Sequence, residues 1–238
     1  MNRLAVYADI EPLRWENGFF GVNSAKLVFD LAAPLVTPER LAAYQVVQAK
    51  VAAHSPHQAD ALASLGFRLV EGEIDCSVPV SPDQCIAATA GGLAIRRAEA
   101  GDIAVLRYLA AEAFTLSRFR EPWYAAQDSR RFYAQWAENG VLGCFDHLCL
   151  VAAAPAILGM VTLREMADGE ARIGLLAVDP ASRGQGIGRA LISAALNWCR
   201  NHQKTRLRVA TQAGNLTALR LYIGCGATID SVAYWLYR

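Results

Sequence analysis

The sequence predicts a mixed α/β fold, neither a pure parallel Rossmann sheet nor an all-β protein, and three observations carry that prediction. Strand-like and helix-like segments alternate after residue 93 in the order β-α-(α)-β-β-β-α-β-α-β. A shorter stretch of similar grammar precedes them. The 238 residues are 54% apolar and 19% charged, enough apolar side chain for a buried core. That composition excludes a disordered tail, a collagen-like chain and an acidic solvating segment. The stretch 79–92 is rich in Pro, Gly and small residues and reads as a linker. It divides the chain into a smaller N-terminal α/β accessory domain, 1–78, and a larger domain, 93–238.

In the first part, Thr37-Pro38-Glu39-Arg40 opens a helix, with Thr at the N-cap, Pro at the first helical position and an acid in the first turn. Leu41, Tyr44, Val47 (or Val46) and Val51 are expected to give that helix its apolar face. A short helix over 60–65 stops at Gly66, and 67–74 continues as a strand. After the linker, 94–97 reads as a strand and 102–114 as a helix with apolar Ile103, Leu106, Leu109, Ala110 and Ala113. An aromatic, Arg-rich stretch follows from Ser117 to Trp136. Then come a hairpin (148–164), a strand (171–178), a helix (186–201), a strand (206–211), a helix (216–223) and a last strand (227–237). The helix ends at 61–67 and 219–226 echo each other, each closing on Gly before a strand. The echo is shared grammar here, not a repeat.

The longest uncharged apolar run, 148–163, is broken by Pro155 and Gly159. A spanning helix needs about 20 residues, so the run reads as two buried strands around a turn, and no membrane insertion is expected. The first nine residues carry no apolar h-region ahead of Asp9. Six Cys, at 76, 85, 144, 149, 199 and 225, include no Cys-x-x-Cys pair. Reduced structural thiols in a cytoplasmic protein are expected, without disulfides or a metal.

The informative segment is Gly174-Leu175-Leu176-Ala177-Val178-Asp179-Pro180-Ala181-Ser182-Arg183-Gly184-Gln185-Gly186-Ile187-Gly188-Arg189. A buried strand ends at Asp-Pro, a turn carries three alternating glycines, and a helix begins. Such a turn directs backbone N–H groups, at the positive end of a helix dipole, toward an anion. The plainer alternative is a tight strand-to-helix turn with no ligand. A Walker loop would need Gly-Lys-Ser/Thr, which is absent, and a dinucleotide fingerprint would need Gly where Arg189 stands.

What remains, Arg183-x-x-Gly186-x-Gly188 between a strand and a helix, resembles the pyrophosphate loop of the GNAT superfamily of acetyl-CoA-dependent N-acyltransferases. Asn215 and Tyr222, in Asn215-Leu-Thr-Ala218-Leu-Arg-Leu-Tyr222 after the next strand, extend the match across 93–238. The resemblance implies a mixed, mostly antiparallel central sheet flanked by helices, with 93–238 as the acetyl-CoA-binding domain. It implies that backbone groups of Leu176, Ala177 and Val178 hold the pantetheine arm like an added strand. Amides of Arg183, Gly184, Gln185, Gly186, Ile187 and Gly188 would hold the coenzyme A pyrophosphate. Asn215 would fix the pantetheine side, and Tyr222 would stand near the acetyl sulfur. Asn215 reads equally as an N-cap ahead of Leu216, and Tyr222 as a core aromatic packed on Ala218 and Leu219.

The implied chemistry is attack of an amine on a thioester. It proceeds directly once the partners are held within ~3–3.5 Å, so no Cys is needed and Cys225 reads as packing. Tyr222 suits protonation of the leaving sulfur, and strand amides suit the oxyanion. For a base, Glu71 and Glu73 alternate on one strand and share a face. Glu71 is the candidate; a pair of solvent-facing strand charges is the alternative.

The charge is uneven. Met1 to Ala90 holds six Lys/Arg against ten Asp/Glu, a net of −4, while Leu93 to Arg238 holds seventeen against twelve, a net of +5. The basic half suits a phosphorylated ligand, and +5 is too little to indicate nucleic acid. Three segments join aromatic and polar groups: Trp15-Glu-Asn-x-Phe-Phe-Gly21, Ser117-Arg-Phe-Arg-x-Pro-Trp-Tyr124 and Ala233-Tyr-Trp-Leu-Tyr-Arg238. They resemble a family of sugar-nucleotide N-acetyltransferases of enterobacterial common antigen synthesis. That resemblance implies acetylation of the 4-amino group of dTDP-4-amino-4,6-dideoxy-D-galactose in a ternary complex. An aromatic, Arg-lined cleft suits a stacked thymine and a diphosphate; ordinary core packing is the alternative for the same rings. A peptide or ribosomal-protein N-acetyltransferase and an inactive acetyl-CoA-binding sensor remain open, and a homodimer is admitted but not required.

Overall fold

The computed structural model describes residues 5–81 and 92–238. Most of the expected linker, 82–91, and Cys85 within it lie outside the described residues. The strands are β1 Ala8–Pro12, β2 Ser24–Phe29, β3 Val46–Ala52, β4 Arg68–Pro79, β5 Ala94–Arg97, β6 Leu148–Ala153, β7 Ile157–Glu165, β8 Ala171–Val178, β9 Arg206–Gln212 and β10 Thr228–Tyr237. The helices are α1 Arg14–Phe20, α2 Pro38–Leu41, α3 Pro56–Ser64, α4 Ile103–Ala113, α5 Asp128–Leu142, α6 Ile187–Asn201 and α7 Leu216–Gly224. The strands form one sheet in the order β1-β2-β3-β10-β4-β9-β8-β7-β6-β5. Its pairs are antiparallel except β2 with β3 and β8 with β9. The mixed, mostly antiparallel sheet is the one the sequence led us to expect.

Strands from either side of 79–92 are direct neighbours. β10, the last strand, lies between β3 and β4, and β4 lies between β10 and β9. The echo between two helix ends extends further than the sequence showed. Units β3-α3-β4 and β9-α7-β10 follow one plan, and their helices close on Gly66 and Gly226 at φ of +90° and +91°. Each unit's second strand is inserted beside the other's, so the two units interlock.

The helix expected from Thr37 is a correction. The cap forms, with Thr37 Oγ1 accepting from the Arg40 amide at 3.4 Å, but α2 ends after Leu41 and Val46–Ala52 is strand. The apolar spacing of Leu41, Tyr44, Val47 and Val51 fits a helix. Tertiary context overrides it: β3 lies inside the sheet between β2 and β10, buried on both faces, where β-branched Val46, Val47 and Val51 pack well. The run 148–163 is the predicted hairpin, β6 and β7. Among the described residues no helix is long and apolar enough to cross a membrane.

Two cores flank the C-terminal part of the sheet. Leu191, Ile192, Ala195 and Cys199 of α6, with Leu219 and Tyr222 of α7, pack on Val161, Leu163, Ile173 and Val209. On the other face, Leu106, Leu109 and Ala110 of α4 and Tyr133 and Ala137 of α5 pack on Cys149, Met160, Leu175 and Ala177. The five described cysteines are free thiols.

Candidate active site

β8 runs parallel to β9 for three residues, Ala171 to Ile173 opposite Leu207 to Val209, and then leaves it. At the same point the ladder with β7 slips: Leu163 faces Ile173 and Val161 faces Leu176, so Thr162 alone faces both Gly174 and Leu175. This is a β-bulge, and a bulged strand bends. It also exchanges faces, since Ile173 points to the α6 core and Leu175 to the α4/α5 core. Beyond it, the Leu175 amide donates to Thr162 Oγ1 at 2.8 Å and the Asp179 amide to the Leu158 carbonyl at 2.8 Å, both toward β7. Backbone groups alternate sides along a strand. The amides of Leu176 and Val178 therefore turn into the opening beside β9, and that of Ala177 turns away.

After β8 a 3-10 turn, Pro180–Ser182, leads into the loop, closed by Ser182 Oγ donating to Asp179 Oδ2 at 3.1 Å. Gly184 and Gly186 take φ of +78° and +80°, left-handed backbone that disfavours other residues. Gly186 is the N-cap of α6, and no side chain caps that end. The first-turn N–H groups of a fifteen-residue helix are thus left free of side-chain acceptors, as an anion site requires. The third glycine has a packing reason: a Cβ on Gly188 would stand 2.8 Å from Leu221 Cδ2 of α7.

A cleft of about 770 Å³ runs from this loop, through the opening between β8 and β9, to β4. Leu176, Ala177, Val178, Arg183, Gly184, Gly186, Ile187, Gly188, Asn215, Tyr222 and Glu71 all line it. Of the residues the sequence nominated, Gln185 alone is outside the lining; its side chain is exposed. Asn215 does cap α7, its Oδ1 accepting from the Ala218 amide at 3.2 Å, while its Nδ2 donates to Thr211 Oγ1 at 3.1 Å. Tyr222 is buried in the α6/α7 core, its hydroxyl hydrogen-bonded to no described residue. Burial, with Cys76 and Cys225 nearby, pushes its phenol well above the usual range, so it stays protonated at working pH.

Glu71 and Glu73 share the cleft face, and their surroundings separate them. Burial pushes the Glu71 carboxyl up to about 7; Arg118 opposes the shift, Glu73 adds to it, and Arg120 and Gln212 oppose it. Glu73 is pulled the other way. Burial would raise it, but hydrogen bonds from Lys50 and Trp235 Nε1 (2.9 Å) hold it below the usual range. Glu73 is committed, and Glu71 can exchange a proton near neutrality.

The far wall was less legible in sequence. Arg118 is stacked on Phe119 and Trp235, with its guanidinium carbon 4.3 and 4.2 Å from the ring centroids, and donates to Gln48 Oε1 and the Tyr237 hydroxyl. It is bound by its neighbours. Arg164 of β7 lines the cleft 4.4 Å from the Phe145 ring and has no ion pair among the described residues. It stands opposite Arg172, which pairs with Asp75 at 3.1 Å. No motif marks Arg164, and only the hairpin register could have placed it. Among the described residues no cluster could hold a metal ion.

A sequence profile of the acetyltransferase (GNAT) family matches residues 103–227. The chain is 52% identical over 237 residues to the dTDP-fucosamine acetyltransferase of Escherichia coli O6:H1, covering 99% of this chain and 100% of that one. Among solved structures it resembles a GCN5-related N-acetyltransferase from Sphaerobacter thermophilus, with a TM-score of 0.66 at 18% identity, over 98% of this chain and 76% of that one. It also resembles a tandem GNAT protein of the clavulanic acid biosynthesis pathway, with a TM-score of 0.62 at 15% identity, over 92% and 75% of the two chains.

Proposed function

The chain belongs to the GNAT family of acetyltransferases, and from that membership we propose that it acetylates the 4-amino group of dTDP-4-amino-4,6-dideoxy-D-galactose in the cytoplasm, for enterobacterial common antigen synthesis. Acetyl-CoA is the acetyl donor of the family. The name and near-complete coverage of the Escherichia coli relative support the acceptor. The observation that carries the mechanism is a single cleft lined by an uncapped helix start, an opened strand, a protonated phenol and a carboxyl that titrates near 7.

The donor fits these residues. Free first-turn amides of α6 suit its pyrophosphate, and the Leu176 and Val178 amides, turned into the opening, suit its pantetheine arm. When bound, it supplies the thioester that the amine attacks. Glu71 takes a proton from the acceptor's ammonium, directly or through one water, so that the neutral amine attacks, and Tyr222 gives a proton to the leaving thiolate. Strand amides at the opening stabilise the oxyanion. On the acceptor side, Arg164, which has no ion pair among the described residues, is available to the diphosphate; it stands over the Phe145 ring, which contacts Trp136 and through it Phe132. The reading requires no nucleic acid and is compatible with a homodimer.

Thiol release from acetyl-CoA, measured with the amino-sugar nucleotide beside peptide amines, tests the acceptor. Turnover confined to peptide amines overturns it. Mass spectrometry after acetyl-CoA alone should show unmodified protein. A stoichiometric acetyl-cysteine would replace direct attack with a covalent route.

A further inference from the structure

Asp146 is fully buried. It precedes β6 and approaches the bulge between β7 and β8 from the α5 side. Its Oδ2 accepts from Thr162 Oγ1 at 2.6 Å and from Trp136 Nε1 at 2.7 Å. Its Oδ1 is buried with no hydrogen-bond partner among the described residues. A carboxylate left half-satisfied is costly to keep inside a protein, which asks for a reason beyond filling space. The space itself is specific. A Cβ on Gly174 would stand 2.1 Å from Asp146 Oδ2, so only glycine at the bulged position admits the carboxylate.

The contacts form a chain. The Leu175 amide donates to Thr162 Oγ1, and the Thr162 hydroxyl donates to Asp146. A hydroxyl has one proton to give, so the carboxylate fixes where that proton goes and leaves the oxygen's lone pair for the Leu175 amide. The amide is thereby tied to a side chain in place of a ladder carbonyl, and that is what a bulge needs to persist. The bulge begins one residue after the last β8–β9 pair, Ile173 with Val209. The next amides along, those of Leu176 and Val178, are the ones turned into the opening.

We propose that Asp146 is a positioning residue: through the Thr162 hydroxyl it locks the bulge that separates β8 from β9 and aims the Leu176 and Val178 amides at the donor. The inference rests on the reading of β8 as the donor's strand. Trp136 links the same carboxylate to the acceptor wall, because its ring also contacts Phe132 and Phe145. Asp146 thus ties the two ends of the cleft together.

Thr162→Val, Thr162→Ser, Asp146→Asn and Gly186→Asp separate the possibilities, with acetyl-CoA affinity read by calorimetry and kcat read at saturating donor. Thr162→Val removes the hydroxyl and keeps the shape. It should weaken acetyl-CoA binding about tenfold and lower kcat by a similar factor, while Thr162→Ser stays within about threefold of the parent. If Thr162→Val does not fold, Asp146→Asn, which preserves the outline of the carboxylate, should show the same two losses. Gly186→Asp tests the donor reading through the loop alone. If it weakens binding while folded Thr162→Val and Asp146→Asn keep parental affinity and kcat, with only a lower melting temperature, Asp146 is a core residue and the lock is overturned. If Gly186→Asp leaves affinity unchanged, the donor reading fails instead.

Discussion

The units β3-α3-β4 and β9-α7-β10 share the length of the first strand and of the helix, and the glycine that follows each helix, and they differ where a ligand would be held. Ahead of β9 stands α6, fifteen residues long, with no side chain on its N-terminal amides. Ahead of β3 stands only the four-residue α2. There the Arg40 guanidinium donates to the carbonyls of Pro34 at 3.0 Å and Leu35 at 2.8 Å, and more weakly to that of Ala8. One half presents donors to an outside anion. The other satisfies its acceptors with its own cation. The side chains follow suit: Ser55, which makes no capping bond, occupies the place of Asn215, and buried Leu62 that of Tyr222. Yet the N-terminal unit supplies β4, and with it Glu71, to the cleft of the other. A half without a donor site of its own can still furnish one member, Glu71, of the proposed catalytic pair, because the strands interlock.

The sharpest way to break this comparison is Tyr222→Phe, which gives α7 the all-hydrocarbon side-chain chemistry of α3 at that place. The ring and its packing are kept. If the phenol protonates the thiolate, kcat should fall about 10²–10³-fold, roughly 3–4 kcal/mol of barrier, with acetyl-CoA affinity changed less than about tenfold. Full kcat in the variant would make Tyr222 as purely structural as Leu62.

Glu71→Gln should follow, with a fall in kcat/KM of about 10²-fold at neutral pH. The parent's kcat/KM should rise through about pH 7 as the carboxyl ionises, and the variant's should lose that step. Stability moves the other way. The folded-state value lies above the ordinary 4.5, so the favourable contribution of protonated Glu71 is present below pH 4.5 and lost as pH rises through 7. Removing the charge should therefore stabilise the protein above pH 7, by about 1–3 kcal/mol, and not at pH 4. Equal melting temperatures at pH 8 would show that the carboxylate is not strained by burial.

Gly186→Asp places a carboxylate where the α6 amides point and strains a left-handed residue. Acetyl-CoA affinity should weaken about 10–100-fold by calorimetry. A folded variant with parental affinity would leave the α6 start as unoccupied as the α2 region.

The C-terminal half was legible because its chemistry is local: strand, glycines and helix follow one another within 171–201, and periodicity finds them. The sequence also placed Glu71 and Glu73 on one face, since strand alternation is local too. It could not separate them, because Lys50 and Trp235, which commit Glu73, come from β3 and β10. The strand Val46–Ala52 escapes a local reading for a related reason, since one of its two neighbours, β10, comes from the far end of the chain. Asp146 left no signal at all: an Asp before a strand looks like a turn residue until Thr162, Trp136 and Gly174 close around it.

The smallest expected effect belongs to the other half. Arg40→Met keeps the aliphatic stem and removes the guanidinium that satisfies the carbonyls of Pro34 and Leu35. These are charge-assisted bonds at a partly exposed site, where water replaces part of what is lost, so about 1–2 kcal/mol of stability should go. For a chain of this size that lowers the melting temperature by roughly 2–8 °C. The region lies outside the cleft lining, so kcat and acetyl-CoA affinity should stay within about twofold of the parent. A large loss of activity in a folded Arg40→Met would mean that the N-terminal unit does more than deliver β4, and that its closed loop acts on the site through the shared sheet.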